Sequence, residues 1–221
     1  MKERPILFSA PMVRAILSGT KTQTRRVVKP QPDNDPALHH PIAPYHNGRG
    51  GWNWVLAATG HGTGDPFPCP YGAPGDRLWV RETWAYGIHA LNARNAEREG
   101  PWVYGADSAA EQGRLCDRWR PSIHMRREAS RLVLEITGVR VERLQDISEA
   151  DAQAEGIFPH VRGGWHWLKH DSSNPDDWNQ FGYKTAALAF QALWESINGP
   201  ESWVANPWVW VVEFRCLEAT R

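Results

Sequence analysis

The chain has 221 residues, 41% hydrophobic and 23% charged, with 25 basic and 25 acidic side chains that cancel to a formal charge of zero. That length supplies one sizeable core and argues against a second full domain. The balance excludes a protein that grips duplex nucleic acid by bulk positive charge, leaving only a local basic patch for such a role.

Cys69, Cys116 and Cys216 are odd in number and widely spaced, so neither a disulfide framework nor a structural zinc pattern is expected. With no charged-then-apolar leader and no apolar run long enough for a bilayer, the expectation is a cytoplasmic chain with reduced thiols and no membrane partner. Thirteen tryptophans fill core and groove positions, some of them suited to stacking on bases.

Ser9-Ala10-Pro11 reads as a helix start, with Ser9 as N-cap and Pro11 in the first turn, where a missing N–H costs little. Met12, Val13, Ile16 and Leu17 recur at helical spacing, and Gly19 suits the left-handed residue that closes a helix. Thr22 to Val28 is rich in β-branched residues and reads as a strand. Alternation puts Thr22, Thr24 and Arg26 on one face and Gln23 and Arg25 on the other, with Lys21 at the turn. A threonine hydroxyl becomes a nucleophile when a base removes its proton, and a lysine serves as that base once burial and neighbouring arginines lower its pKa. A basic, solvated strand edge explains the same residues without chemistry.

From 31 to 74 the chain is rich in Pro, Gly, Asn and His, which predicts an irregular excursion. His39, His40, His46 and His61 fall within it, without the paired Cys or carboxylates of a metal site, and surface histidines are the simpler reading. Gly75-Asp76 leads into a strand over Arg77 to Trp84, where Arg81 and Glu82 face opposite sides. A second excursion runs from 88 to 120, with a short helix around Leu91 to Arg98 and a strand at Trp102 to Tyr104. His124 follows, either an acid or base near neutral pH or a hydrogen-bonded structural histidine.

Leu132 to Ile136 and Val139 to Leu144 are strand material with Gly138 between them. Arg140 and Arg143 suit either phosphate contact or a solvated face. Ser148-Glu149-Ala150-Asp151 is a helix N-terminus signature. The short helix it opens ends at Glu155-Gly156, with a carboxylate where the helix dipole disfavours one. A third excursion spans 158 to 180. Lys184 to Ile197 then reads as a helix with Ala187, Phe190, Leu193, Trp194 and Ile197 on its apolar face, stopped by Asn198-Gly199-Pro200. Trp208 to Phe214 is a bulky strand central to the sheet.

Ile16 to Arg26, Gly75-Asp76-Arg77-Leu78, Leu144 to Gly156 and Val211-Val212-Glu213-Phe214 together resemble the ASCH domain, in the expected order and over about half the chain, and the whole is similar to the longer ASCH-like proteins of phage and prophage genomes. The resemblance implies a single α+β domain built on a PUA-like mixed β-barrel with short flanking helices, the three excursions being insertions. One branch of that family removes the acetyl group from N4-acetylcytidine with a threonine nucleophile, a lysine and a glutamate. Matched motif to motif, these fall on Thr24, Lys21 and Glu155.

The implied mechanism has Lys21 take the proton of Thr24, Thr24 attack the amide carbonyl, and Glu155 protonate or position the leaving nitrogen. Backbone N–H groups at Gly19 would hold the oxyanion, and Thr22 and Arg26 would contact the modified nucleoside or nucleotide, with no metal or organic cofactor. Arg25 departs from the branch, where an apolar residue is common. The alternative is a non-catalytic RNA-binding module, in which Lys21, Arg25, Arg26 and the aromatic residues hold phosphates and bases.

Overall fold

The structure, a computed structural model, describes residues 1–32, 42–46, 51–56, 62–87, 102–107, 116, 118–169 and 181–219. The expected helix at 91–98, His39, His40 and His61 lie outside them. The fold is mixed α+β: a sheet core carrying few helices. The strands are β1 (Glu3–Leu7), β2 (Gln23–Val27), β3 (Ile42–His46), β4 (Trp52–Leu56), β5 (Gly62–Phe67), β6 (Arg77–Arg81), β7 (Trp84–Tyr86), β8 (Trp102–Tyr104), β9 (Leu132–Arg143), β10 (Phe158–Pro159), β11 (Trp165–His166) and β12 (Trp208–Ala219). The helices are α1 (Ala10–Leu17), α2 (Glu149–Ala154) and α3 (Ala186–Asn198).

The main sheet has the order β1-β6-β9-β12-β2, with β1 parallel to β6 and the other pairs antiparallel. Bulky β12 lies in its interior, as its composition predicts. Gly138 does not separate two strands: it sits inside the single long strand β9, opposite Glu213, where one register shift of the β12 pairing begins. A glycine in a strand often marks such a site.

Alternation along β12 feeds two cores. Trp210, Val212 and Phe214 join Ile6, Phe8, Val13, Ile16, Leu78 and Val80 on the face that carries α1. Val209 and Val211 join Leu144, Ile147, Ala152, Phe190, Leu193 and Trp194 on the face that carries α2 and α3. Ile197, expected on the buried face of α3, is exposed, while Ala186 and Ala189 are buried in its stead. The side chain at 189 is small enough to let α3 lie close to the sheet.

The ladder does not close into a barrel among the described residues: β1 and β2 are its two ends. The ends nevertheless approach each other, because Arg26 Nη2 on β2 donates to the Leu7 carbonyl of β1 at 2.6 Å and the guanidinium lies 5.4 Å from the Phe8 ring centroid. A side chain bridges where a backbone ladder would have to run.

Residues 31–74 are not wholly irregular. They contain the antiparallel meander β3-β4-β5, held to the sheet by Trp52 against Trp210 at 5.8 Å and Trp54 against Trp208 at 5.7 Å between centroids. Glycine and proline content hid a strand whose tryptophans alternate with polar neighbours. In the stretch after β6, Glu82 turns inward to a bidentate pair with Arg131 at 3.0 and 3.1 Å, while Arg81 binds the Ile123 and Met125 carbonyls. His124 is exposed on a short 3-10 turn.

Asp76 staples the start of the β1–β6 pair, accepting from Lys2 N at 2.7 Å and Arg4 Nη1 at 2.9 Å. The Lys2 amide and then the Arg4 guanidinium lower its pKa from 3.8 to about 2. A depressed carboxylate stabilises the fold fully above its unfolded value and loses that contribution as pH falls through the folded one. Urea titrations of Asp76→Asn should therefore show lower stability at neutral pH and a smaller loss between pH 4 and 2 than the parent chain.

Gly164 and Gly182 bring two backbones together below Trp165. A Cβ at 182 would stand 2.4 Å from the Gly163 carbonyl and 2.6 Å from Trp165 N. Backbone cannot rotate away as a side chain does, so Gly182→Ala should cost about 1–3 kcal/mol, read as a lower urea midpoint with unchanged m-value.

Candidate active site

Helix α1 begins as its sequence dictates, with Ser9 in extended backbone, Pro11 in the first turn and Val13 N bonded to Ser9 O at 2.9 Å. Gly19 takes a left-handed φ of 74° to end it. The N–H groups of Gly19, Thr20 and Lys21 then donate to Ile16 and Ala15 carbonyls at 2.9–3.0 Å, and Thr22 N donates to Ala154 O at 2.8 Å. All four donors are used in closing α1 and docking it on α2, so this turn has none to offer an oxyanion. The expected role of the Gly19 turn is corrected accordingly.

Helix α2 starts at Ser148, whose hydroxyl accepts from Asp151 N at 3.0 Å, and its C-cap is Glu155. Gly156 follows with φ 97°, and a Cβ there would stand 3.1 Å from the Ala15 Cβ. Positive φ and close approach to α1 both require glycine at this position. The consequence is a backbone bridge between Lys21 and Glu155, residues 134 apart in sequence.

Lys21 Nζ donates to the Glu155 main-chain oxygen at 2.8 Å and to its Oε2 at 2.7 Å. Both side chains are essentially sealed, 0% and 3% exposed. Arg25, also fully buried, donates Nη1 to Glu155 Oε1 at 3.2 Å and pairs with Glu142 and Asp151. Arg140 extends the network to Glu142, Asp151 and Glu213. Register explains the grouping: Arg25 lies beside Val211 and Val211 beside Arg140, in one row across β2, β12 and β9. The carboxylate at the C-cap of α2, unfavourable for the helix alone, is thus held by Lys21 and Arg25.

Burial, above all, pushes the Lys21 amine below its ordinary value of 10.5, against the opposing pull of Glu155.

The expected faces of β2 hold. Thr24 and Val212 are register partners, as are Arg26 and Trp210, while Arg25 pairs with Val211 on the opposite face. Because β2 ends the sheet, a hollow of about 70 Å³ along its edge is bordered from both faces, by Thr24, Arg25, Arg26, Glu155, Phe190 and Trp194 among others. Among the described residues the Thr24 hydroxyl makes no hydrogen bond and none joins it to Lys21. Thr22, expected beside Thr24, is exposed and does not border this hollow.

Two buried donors on residues lining the hollow, Arg25 Nε and Trp194 Nε1, have no protein acceptor. A larger hollow of about 320 Å³ adjoins it through Met12, Glu155, Leu193 and Ile197 and extends to Ser9, Gly156 and Trp167. Among the described residues no group of three His, Cys, Asp or Glu side chains has metal-holding geometry. No helix there is long and apolar enough to cross a membrane.

Arg25 was legible in the sequence as a neighbour that lowers the lysine pKa and as a phosphate contact of the binding module, not as a partner of Glu155, and Glu142, Asp151 and Arg140 were not singled out with it. The alternation Val139-Arg140-Val141-Glu142 already put Arg140 and Glu142 on one face. Trp194 was legible only as core. Compared with protein-family models, curated proteins and solved structures, the chain finds no match.

Removing Lys21 takes two hydrogen bonds from the buried Glu155 and leaves its carboxylate with Arg25 as partner, at about 1–3 kcal/mol. Lys21→Met should lower unfolding free energy by an amount in that range. A depressed lysine pKa means the unfolded chain binds more protons between the folded value and 10.5, so stability from this group rises with pH across that window. Urea midpoints of Lys21→Met should lack that rise.

Proposed function

We propose that the chain is an amidohydrolase of the PUA-like, ASCH type that removes an acyl group from the exocyclic nitrogen of an N4-acylated cytidine. The observation that carries this reading is the buried Lys21–Glu155 contact, with Glu155 and Thr24 bordering one hollow. Lys21, sealed behind Glu155, lies outside the hollow that Thr24 and Glu155 border, so the reaction requires Lys21 and Thr24 to approach each other when substrate is bound. The curled sheet whose two ends are bridged by Arg26 supports the barrel-like ancestry.

In this mechanism Lys21, neutral in its dry site, takes the proton of Thr24 as the threonine oxygen bonds to the acyl carbon. The C–N4 bond then breaks, and protonated Lys21 returns the proton to the leaving nitrogen, giving free cytidine and an acyl-threonine ester. Water hydrolyses the ester to the carboxylic acid and restores Thr24. Glu155, bonded by both Lys21 and Arg25, is an anion suited to accepting a hydrogen bond, so its part is to orient Lys21 and the exocyclic nitrogen rather than to donate a proton.

Cytidine release from N4-acetylcytidine, in neutral buffer with chelator, tests the reading. Wild type should turn over, and Thr24→Ala and Lys21→Met should lose on the order of 10²–10⁴-fold in kcat while circular dichroism shows them folded. The wild-type rate should rise with pH through the lowered pKa of Lys21. An inert wild type, or a Thr24→Ala variant with full activity, would sink the proposal.

A further inference from the structure

The 320 Å³ hollow continues into another of about 400 Å³, which shares Pro11, Ala15, Trp167 and Leu168 with it. Together they have the scale of a small-ligand site, for which roughly 300–1,000 Å³ is usual. Their charges are segregated. Among the described residues, the only ionisable side chain lining the first is Glu155, and those lining the second are Arg14 and Lys169. Ser18 and Thr20 also line the second, their hydroxyls bonded to each other and to the Ala15 carbonyl.

Four of the eight arginines in the sheet strands, Arg4, Arg25, Arg140 and Arg215, face a carboxylate. Arg14 and Lys169 have no carboxylate partner among the described residues, and the one hydrogen bond of Arg14 goes from Nη1 to the Ala106 carbonyl at 3.2 Å. Two cations without a carboxylate partner, lining one cavity, suit an anion.

We infer that this groove takes a phosphorylated nucleoside, with the amine edge of its pyrimidine toward Glu155 and its 5′-phosphate against Arg14 and Lys169. The orientation follows from the polarity of the groove: an exocyclic nitrogen donates toward a carboxylate, and a phosphate accepts from cations. Trp167 lies where the two hollows meet, an apolar wall for the base and ribose. The identity of the base rests on the amidohydrolase reading. The phosphate subsite does not, because Arg14 and Lys169 take no part in that chemistry.

The test compares N4-acetylcytidine with its 5′-monophosphate as substrates, and cytidine with cytidine 5′-monophosphate as calorimetric ligands, for wild type and Arg14→Gln/Lys169→Gln. Charge-assisted contacts to phosphate predict a preference for the monophosphate of about tenfold or more in both kcat/KM and Kd. The ratio should collapse to near parity in the double variant. Equal treatment of both ligands by wild type, or an unchanged ratio in the variant, overturns the inference. If nothing is hydrolysed yet the monophosphate still binds more tightly, the amidohydrolase reading falls and the phosphate subsite stands. A trinucleotide centred on N4-acetylcytidine that outcompetes the mononucleotide would overturn the assignment in favour of RNA.

Discussion

Everything that distinguishes this molecule converges on the Glu155 carboxylate, buried and held from two directions by Lys21 and Arg25. Charges are costly to remove from water, and the cost is met only when each lone pair and proton finds a partner at good geometry. Here the donors come from the end of α1 and from β2, and the acceptor from the end of α2. None of these elements can shift far without stranding a charge in the core. The contact therefore fixes the relative positions of α1, α2 and the edge of the sheet more tightly than apolar packing, which tolerates sliding, would do.

The local backbone is arranged to permit that contact. Gly19 turns the chain back after α1, and Gly156 lets the end of α2 come within van der Waals distance of Ala15. The same turn uses its amide donors to lock the two helices together. A loop committed to holding the site has no donors left to act on a substrate. Two of the buried polar atoms without a protein partner lie on Arg25 and Trp194, where β2 and α3 border the small hollow.

The division of charge along the groove extends the same logic outward. Near Glu155 the walls are apolar and the carboxylate is held by Lys21 and Arg25, which suits a proton transfer away from water. Beyond Trp167 stand Arg14 and Lys169, without a carboxylate partner among the described residues. An elongated ligand with a hydrogen-bond donor at one end and a negative charge at the other fits this gradient, which links the proposed chemistry to a particular kind of substrate.

Much of this was written in the chain itself. Helical periodicity over Met12 to Leu17, the glycine that ends it, the strand alternation of β2 and the capping signature at Ser148 all depend on residues within a few positions of one another, so the sequence by itself determined them. It also determined that Thr24 and Arg25 face opposite ways, because a strand has no freedom in that respect. It misjudged the meander at 42–67, where glycine and proline outweighed alternating tryptophans, and Gly138, which marks an irregular register and not an end of strand. What only the tertiary structure decided is the pairing of groups remote in sequence. Lys21 meets Glu155 and Arg25 meets Glu142 because the order of strands in the sheet sets β2 and β9 on either side of β12. Strand order is chosen by the burial of two cores at once, a property of the whole chain that no local pattern encodes.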